Sequence, residues 1–558
     1  MVNVKEKPFY LDETSEQWVK NTLANMTLDE KLGQIFIQLA QPDTNYLDKN
    51  ILGRHVGGIL FRQNEGAVIQ DSLRYIQSKA KIPVLFCGNL EEGGIGLAKE
   101  GTYFSKQMET AATSNPDFAY KNGLVIGREA TALGAHLSFG PVVDIALDWR
   151  SAITSTNAFS SDVDKVLDFA SANMRGQMEE GLATAVKHFP GEGTNDHDQH
   201  YFCEVNEMSV TEWDQTFGKI FKSLINQGTL AIMPGHIALP AYQKLTNPDF
   251  GDQVLPATYS KELLTTLLRE QLGFNGLVVS DNTCIAGGSA YLPRWQAIPQ
   301  MVAAGIDLIL YSFDMDEDIG FLKEALADGR LTEERLDEAV TRNLATKAAL
   351  QLHEKQSAGS LVPKAEALEV LSCEEHLEWA RACADKAVTL VKDESKLLPI
   401  TPEKYQKIYL TIISDPWERQ HLESYIRAQL EARGFVVSIS DPKSPIPSDN
   451  SIAAWKAKYD LLLYIAHQES ARKDKTTLRI NWSQAGNVPR LAADIPTAYV
   501  SFGNPFDLYD VPMIKTYVNA YCATDIVIDE TMKKIVGERQ FKGVNPVDPF
   551  CGKWYLKV

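Results

Sequence analysis

Residues Lys187 to Tyr201, K-H-F-P-G-E-G-T-N-D-H-D-Q-H-Y, gather ionisable side chains into one short loop. Asp198 and His200 stand two apart, so an extended loop presents both, or the aspartate orients the imidazole. A carboxylate bonded to one ring nitrogen fixes the tautomer and makes the other nitrogen the better base. The plainer reading is a surface loop of turn-forming residues. Asp281 ends the apolar run Gly276-Leu-Val-Val-Ser280, where a carboxylate is held rigidly and partly desolvated. Its plainer reading is a helix N-cap. A third chemistry is a metal site on Asp196, His197, Asp198 and His200, with His188 and His236 as further ligands. No H-x-x-x-H helix or cysteine pair supports it, so the expectation is no metal and no cofactor. No G-x-S-x-G elbow offers a serine nucleophile.

The elements around these residues say how they are positioned. Leu182 to Val186 is an apolar run that reads as a buried strand ending at Lys187-His188. Seven further runs resemble it: Ile35–Ala40, Gly57–Phe61, Pro83–Cys87, Leu137–Phe139 into Val142-Val143, Leu230–Met233, Gly276–Ser280 and Asp307–Tyr311. They are nearly continuous rather than alternating, as strands of a parallel sheet buried on both faces must be. Helical periodicity fills the gaps at Phe118–Leu133, Val163–Glu180, Thr211–Gln227, Lys261–Leu272 and Thr332–Leu352. Thr27-Leu-Asp-Glu30 is a capping-box pattern opening the first short helix. Eight β-α units in succession fit a (β/α)8 barrel, whose strand C-termini gather functional residues at one end. An open dinucleotide-binding sheet would carry a glycine-rich phosphate turn after its first strand, which is missing. The barrel end then collects Asn89-Leu-Glu-Glu-Gly-Gly94, Asp144, Lys187, His188, Met233-Pro-Gly-His236 and Asp281-Asn282.

The polar stretch beginning at Glu354 reads as a linker, giving a barrel over 1–353, a linker over 354–378 and a second domain over 379–558. In the second domain, Ile408–Ile413, Phe435–Ile439, Leu461–Ile465 and Ala498–Phe502 alternate with helices at Trp417–Ala432 and Ala523–Val536. That pattern implies a smaller, mostly parallel α/β layer. A net charge of −18 and a pI near 5.1 argue against nucleic acid, which needs clustered cations. No run approaches a membrane span, and Met1–Asp12 lacks the apolar core of a leader. Seven cysteines without a C-x-x-C pair suit reduced thiols, so a cytoplasmic location is the expectation. A homodimer is left open.

With these residues in view, the chain resembles glycoside hydrolase family 3, most closely its β-N-acetylglucosaminidase branch. The resemblance rests on Met26–Gln34, Gly57–Phe61, Lys187-His-Phe-Pro-Gly191 with Asp198-Gln-His200, Gly276–Asp281 and the tail Phe541–Cys551. It implies a barrel followed by an α/β sandwich domain, and a retaining exo-β-glycosidase acting on a small β-linked amino sugar. Alternatives in the same family are a phosphorolytic enzyme, a β-glucosidase, or a non-catalytic sugar-binding relative. The implied roles are Asp281 as nucleophile, His200 as acid/base and Asp198 as its partner. Lys187, His188, Glu92, Asp144, Met233, His236 and Asn157 are the implied sugar contacts. The chain departs from the family pattern at three places. Asn157 replaces a frequent arginine, Leu90 an aspartate, and Glu192 the histidine or aspartate that commonly follows K-H-F-P-G. The first two bear on which sugar the pocket prefers.

Overall fold

The computed structural model describes residues 2–441, 451–470, 475–480, 482 and 488–558. The chain folds as two compact units. The first comprises Met1–Phe104, Ala119–Ile145 and Val163–His376; the second comprises Ser105–Phe118, Ala146–Asp162 and Leu377–Val558. The stretch expected as a linker holds a helix at Leu352–Ser357, and its residues up to His376 belong to the first unit.

Each of the eight apolar runs supplies a strand of the first unit: β1 (Phe36–Ala40), β2 (Gly58–Phe61), β3 (Leu85–Gly88), β4 (Leu137–Ser138), β5 (Ala183–Phe189), β6 (Ala231–Pro234), β7 (Leu277–Val278) and β8 (Ile309–Leu310). All neighbours pair in parallel, in the order β8-β1-β2-β3-β4-β5-β6-β7. A bridge between Val279 and Leu308 joins the two ends of this order and closes the ring. The strands are buried because the ring's interior covers one face and the helices the other.

Two strands differ from their expected lengths in ways that matter for the site. The run through Val142-Val143 does not extend β4. Pro141 lacks an N–H to donate, and only an isolated Val142–Lys187 bridge forms beyond it. Strand β5 runs past Val186 and takes in Lys187, His188 and Phe189, all buried. Its register against β6 shifts between Lys187, opposite Met233, and Phe189, opposite Pro234. His188 is therefore the extra residue of a β-bulge, a device that re-aims a side chain at a strand end.

The helices follow the periodicity closely. Thr27 and Glu30 form the expected capping box. Asp117–Leu133 and Val163–Glu179 are regular helices, whereas Lys219–Gln227 is preceded by a π-helical turn and Glu262–Gln271 is π-helical. The last long helix, Glu333–Ala349, is capped by Thr332. Among the described residues, no helix is long and apolar enough to cross a membrane.

The second unit is built on a six-stranded sheet of β9 (Thr389–Asp393), β10 (Lys407–Ile413), β11 (Val436–Ile439), β12 (Leu461–Ala466), β13 (Thr497–Ser501) and β14 (Thr516–Asn519). The order is β9-β14-β13-β12-β10-β11, parallel except for the β9–β14 pair. The four expected strands, β10 to β13, lie side by side within it. Helices Pro416–Glu431 and Asp525–Ile535 match those expected. The inserted segments contribute the helix Gln107–Ala112 and the short helix Thr154–Asn157.

Candidate active site

The bulged end of β5 lays down the floor of the site. Lys187 is buried and its ammonium pairs with the carboxylate of Glu91, in the loop after β3. Burial works against the charge of Lys187, but Glu91, Asp281 and Asp144 outweigh it and hold its pKa above the ordinary lysine value. Asp144, after β4, grips His188 twice. Its Oδ2 lies 2.7 Å from the ring Nδ1, and its Oδ1 accepts the His188 N–H at 3.2 Å. An ionised carboxylate can only accept, so Nδ1 carries the proton in that contact. The other ring nitrogen, Nε2, lies 3.7 Å from Oδ2 of Asp281.

Asp281 sits where β7 opens into its loop and is 8% exposed. Its Oδ1 accepts the N–H of Asn282 at 2.6 Å, and its own N–H donates to the Pro234 carbonyl at 3.3 Å. The carboxylate is thereby fixed from two strands. His236 buttresses the same corner: its Nδ1 meets Thr258 Oγ1 at 3.0 Å and its Nε2 meets the Asn282 carbonyl at 3.2 Å. Burial pushes its pKa below the ordinary histidine value. Asp281, His200 and His188 all act electrostatically on this ring, so the three share its neighbourhood.

The loop after β5 supplies the second half. Asp198 is 1% exposed and His200 9%. Oδ1 of Asp198 accepts the His200 backbone N–H at 2.8 Å and lies 2.6 Å from its Nδ1. The Asp198 carbonyl also accepts the N–H groups of Tyr201 and Phe202, which closes a tight turn around the pair. His197 is exposed, its ring 5.5 Å from that of Phe202, and Asp196 is half-buried.

Glu192 and Glu204 lie beneath the loop, both fully buried. Glu192 accepts from the backbone N–H of Gln199 at 3.0 Å and from its side-chain Nε2 at 2.7 Å. Glu204 accepts from the N–H groups of Gly193 and Thr194. Burial, with neighbouring carboxylates that include Asp144, pushes both glutamate pKa values well above the usual range.

Of the expected residues, the structure gathers Lys187, His188, Asp144, His236 and Asp281 at one corner and pairs Asp198 with His200. Met233 is buried in β6 opposite Lys187. The partner of Lys187 is Glu91; its expected neighbour Glu92 is half-buried and uses its carbonyl to accept the Phe104 N–H. Asn157 belongs to the second unit, where its carbonyl accepts from Gln107 Nε2 at 2.6 Å. Sequence reasoning misses Glu91, Glu192, Gln199 and Glu204 as site residues. Only Glu192 carries a signal, as a departure from the family motif. Asp196, His197, Asp198 and His200, the residues of the alternative metal reading, form no ligand group among the described residues. Among the described residues, the one group of three or more ligand-type side chains is Asp144, His188 and Glu192. Both oxygens of Asp144 already face N–H groups or the His188 ring, so the set reads as a hydrogen-bonded support.

Residues 27–345 match the glycosyl hydrolase family 3 N-terminal domain. The chain is 39% identical to a β-N-acetylglucosaminidase/β-glucosidase of Cellulomonas fimi over 99% of both chains. It is 31% identical to a β-hexosaminidase of Vibrio cholerae, covering 50% of this chain and 82% of that one. Among solved structures, a β-glucoside phosphorylase, BglX, superposes with a TM-score of 0.94 at 34% identity, covering 99% of both chains. A family 3 β-N-acetylglucosaminidase of Paenibacillus sp. FPU-7 shares the fold, with a TM-score of 0.79 at 24% identity over 94% of this chain and 99% of that one. The chain belongs to glycosyl hydrolase family 3, and is a glycoside hydrolase related to the β-hexosaminidases.

Proposed function

We propose that the protein is a retaining exo-β-glycosidase that removes terminal β-linked N-acetylglucosamine, with β-glucosides as a second substrate class. The observation that carries this reading is the buried Asp198–His200 pair on the barrel end that also holds Asp281. Asp281 attacks the anomeric carbon as the glycosidic bond breaks, and His200 gives its proton to the departing oxygen. In the second half, His200 takes a proton from water, and the oxygen of that water displaces Asp281 from the sugar. Asp198 fixes the imidazole's orientation and stabilises its charged form. Lys187 and His188, held by Glu91 and Asp144, contact the sugar hydroxyls. The acceptance of both sugars rests on the double name of the Cellulomonas fimi relative. Seven free thiols suit a cytoplasmic setting.

A second reading replaces water with phosphate. It is favoured by the whole-length similarity to a β-glucoside phosphorylase. It also fits a neutral histidine base, which adds no negative charge beside an incoming anion. The test is turnover of nitrophenyl β-N-acetylglucosaminide and β-glucoside with and without phosphate, with products followed by NMR. Free β-sugar as first product supports hydrolysis, and sugar 1-phosphate supports the second reading. A 2-deoxy-2-fluoro glycoside should label Asp281, and a label on any other residue would refute the nucleophile assignment.

A further inference from the structure

The loop that carries Asp198 and His200 has a single residue between them, Gln199, and both ends of its side-chain amide are engaged. Its Nε2 donates to Glu192, and its Oε1 accepts the N–H of His236 at 2.7 Å. Its backbone N–H also donates to Glu192, and neither residue reaches solvent. The carbonyl of Gln199 lies 1.9 Å from where a Cβ on Gly287 would stand, and its Oε1 lies 2.4 Å from where one on Gly235 would stand. The Gln199 peptide is thus seated directly on the backbone that follows β7, and its side-chain amide on the backbone that follows β6. Glu192 is itself fixed, since its N–H donates to Asp144 Oδ1 at 2.9 Å and its carbonyl accepts from Ile145.

We propose that Glu192 is the positioning residue of the acid/base loop: by clamping both the backbone and the side-chain amide of Gln199, it sets where Asp198 and His200 stand relative to Asp281. The inference rests on the acid/base role assigned to His200 above. Asp144 then serves as a common anchor, holding His188 with one contact set and Glu192 with another. The two halves of the site are therefore referenced to one carboxylate. A clamp of this kind matters because displacing a reacting group by about 1 Å costs on the order of a hundredfold in rate.

The experiment compares kcat/KM on an unactivated alkyl glycoside, which needs protonation of the leaving group, with a dinitrophenyl glycoside, which does not. Glu192→Ala should lower the first by about tenfold to a hundredfold and leave the second within about threefold. Glu192→Gln sets one NH2 group against another. The swap Glu192→Gln with Gln199→Glu restores all three hydrogen bonds, so it should recover most of the alkyl-glycoside activity that Glu192→Gln loses. Equal losses on both substrates in Glu192→Ala, or a swap no better than Glu192→Gln, would overturn the proposal. The comparison of the swap with the single variant stands even if the alanine variant does not fold. His200→Ala is run alongside. If it shows no leaving-group dependence, the acid/base reading itself fails. If it does and the Glu192 variants do not, only the clamp fails.

Discussion

Replacing Asp198 with asparagine separates two things the carboxylate does for His200, holding its ring and stabilising its charge. Oδ1 of Asp198 meets both the backbone N–H and Nδ1 of His200. In the asparagine variant the backbone N–H keeps an oxygen at that position, because an amide nitrogen there would set donor against donor. The tautomer is therefore retained and only the ionic part is lost. Exchanging a charged acceptor for a neutral one costs about 1–2 kcal/mol, or roughly 5- to 30-fold in rate. Oδ2 is buried and has no hydrogen-bond partner among the described residues, so the new amide nitrogen also costs about 1–3 kcal/mol of stability. Steady-state kinetics on a leaving-group series measures the first effect, and denaturant titration the second. The expected result is roughly a 5- to 30-fold fall in kcat/KM on unactivated glycosides, with little change on dinitrophenyl glycosides. A loss of about 10⁴, as a reversed tautomer produces, would show that the backbone N–H does not hold the ring. No loss would refute the pairing.

Asp281→Gly should abolish turnover, and added azide should restore part of it with formation of the α-glycosyl azide; full activity without azide would remove Asp281 from the mechanism. Gly287→Ala drives a Cβ to 1.9 Å from a backbone oxygen that cannot step aside, so activity and thermal midpoint should fall together; an unchanged enzyme would contradict the seating of Gln199. In the second unit, Glu109 is fully buried, and burial pushes its pKa up to about 8 against the opposing pull of the Lys106 backbone and charge. The folded chain therefore binds this proton more tightly than the unfolded chain. Stability from this group is greatest below about pH 4.5 and is lost as pH rises to about 8, by about 5 kcal/mol at most. Glu109→Gln should flatten that decline, and identical pH profiles of unfolding for variant and parent would refute it.

The barrel is legible in the sequence because a strand buried on both faces must be apolar along its whole length, and eight such runs stand in order. What escapes the pattern is burial made tolerable by a distant partner. Lys187 and His188 look like the polar end of a strand, yet they lie inside β5 because Glu91 and Asp144 meet them there. Neighbouring carboxylates on one loop cannot be told apart by type, so the pairing of Lys187 with Glu91 rather than Glu92 is not readable from the sequence. His236 sits where a sugar contact is expected, but both of its ring nitrogens serve the protein. Strands β9 and β14, T-L-V-K-D and T-Y-V-N, are short and partly polar, and only their pairing makes them strands. The dyad is readable because Asp198 and His200 are close in sequence. The Glu192 clamp is not, because its meaning depends on how the loop folds back.

The segments 105–118 and 146–162 carry a consequence for how the polypeptide is made. They leave the barrel after β3 and β4, and their Met108, Ala112, Ala146 and Ala158 share an apolar cluster with Ala387, Phe506, Tyr521, Val547 and Cys551. The ribosome releases these early segments several hundred residues before their partners exist. At about 5–20 residues per second, they wait on the order of tens of seconds with apolar surface uncovered. The N-terminal portion is therefore not a cassette that matures alone and receives a later appendage. Nascent chains halted just after the barrel's last helix should engage chaperones and resist release as active barrel, and a gene fragment ending there should inherit the same exposed surface permanently.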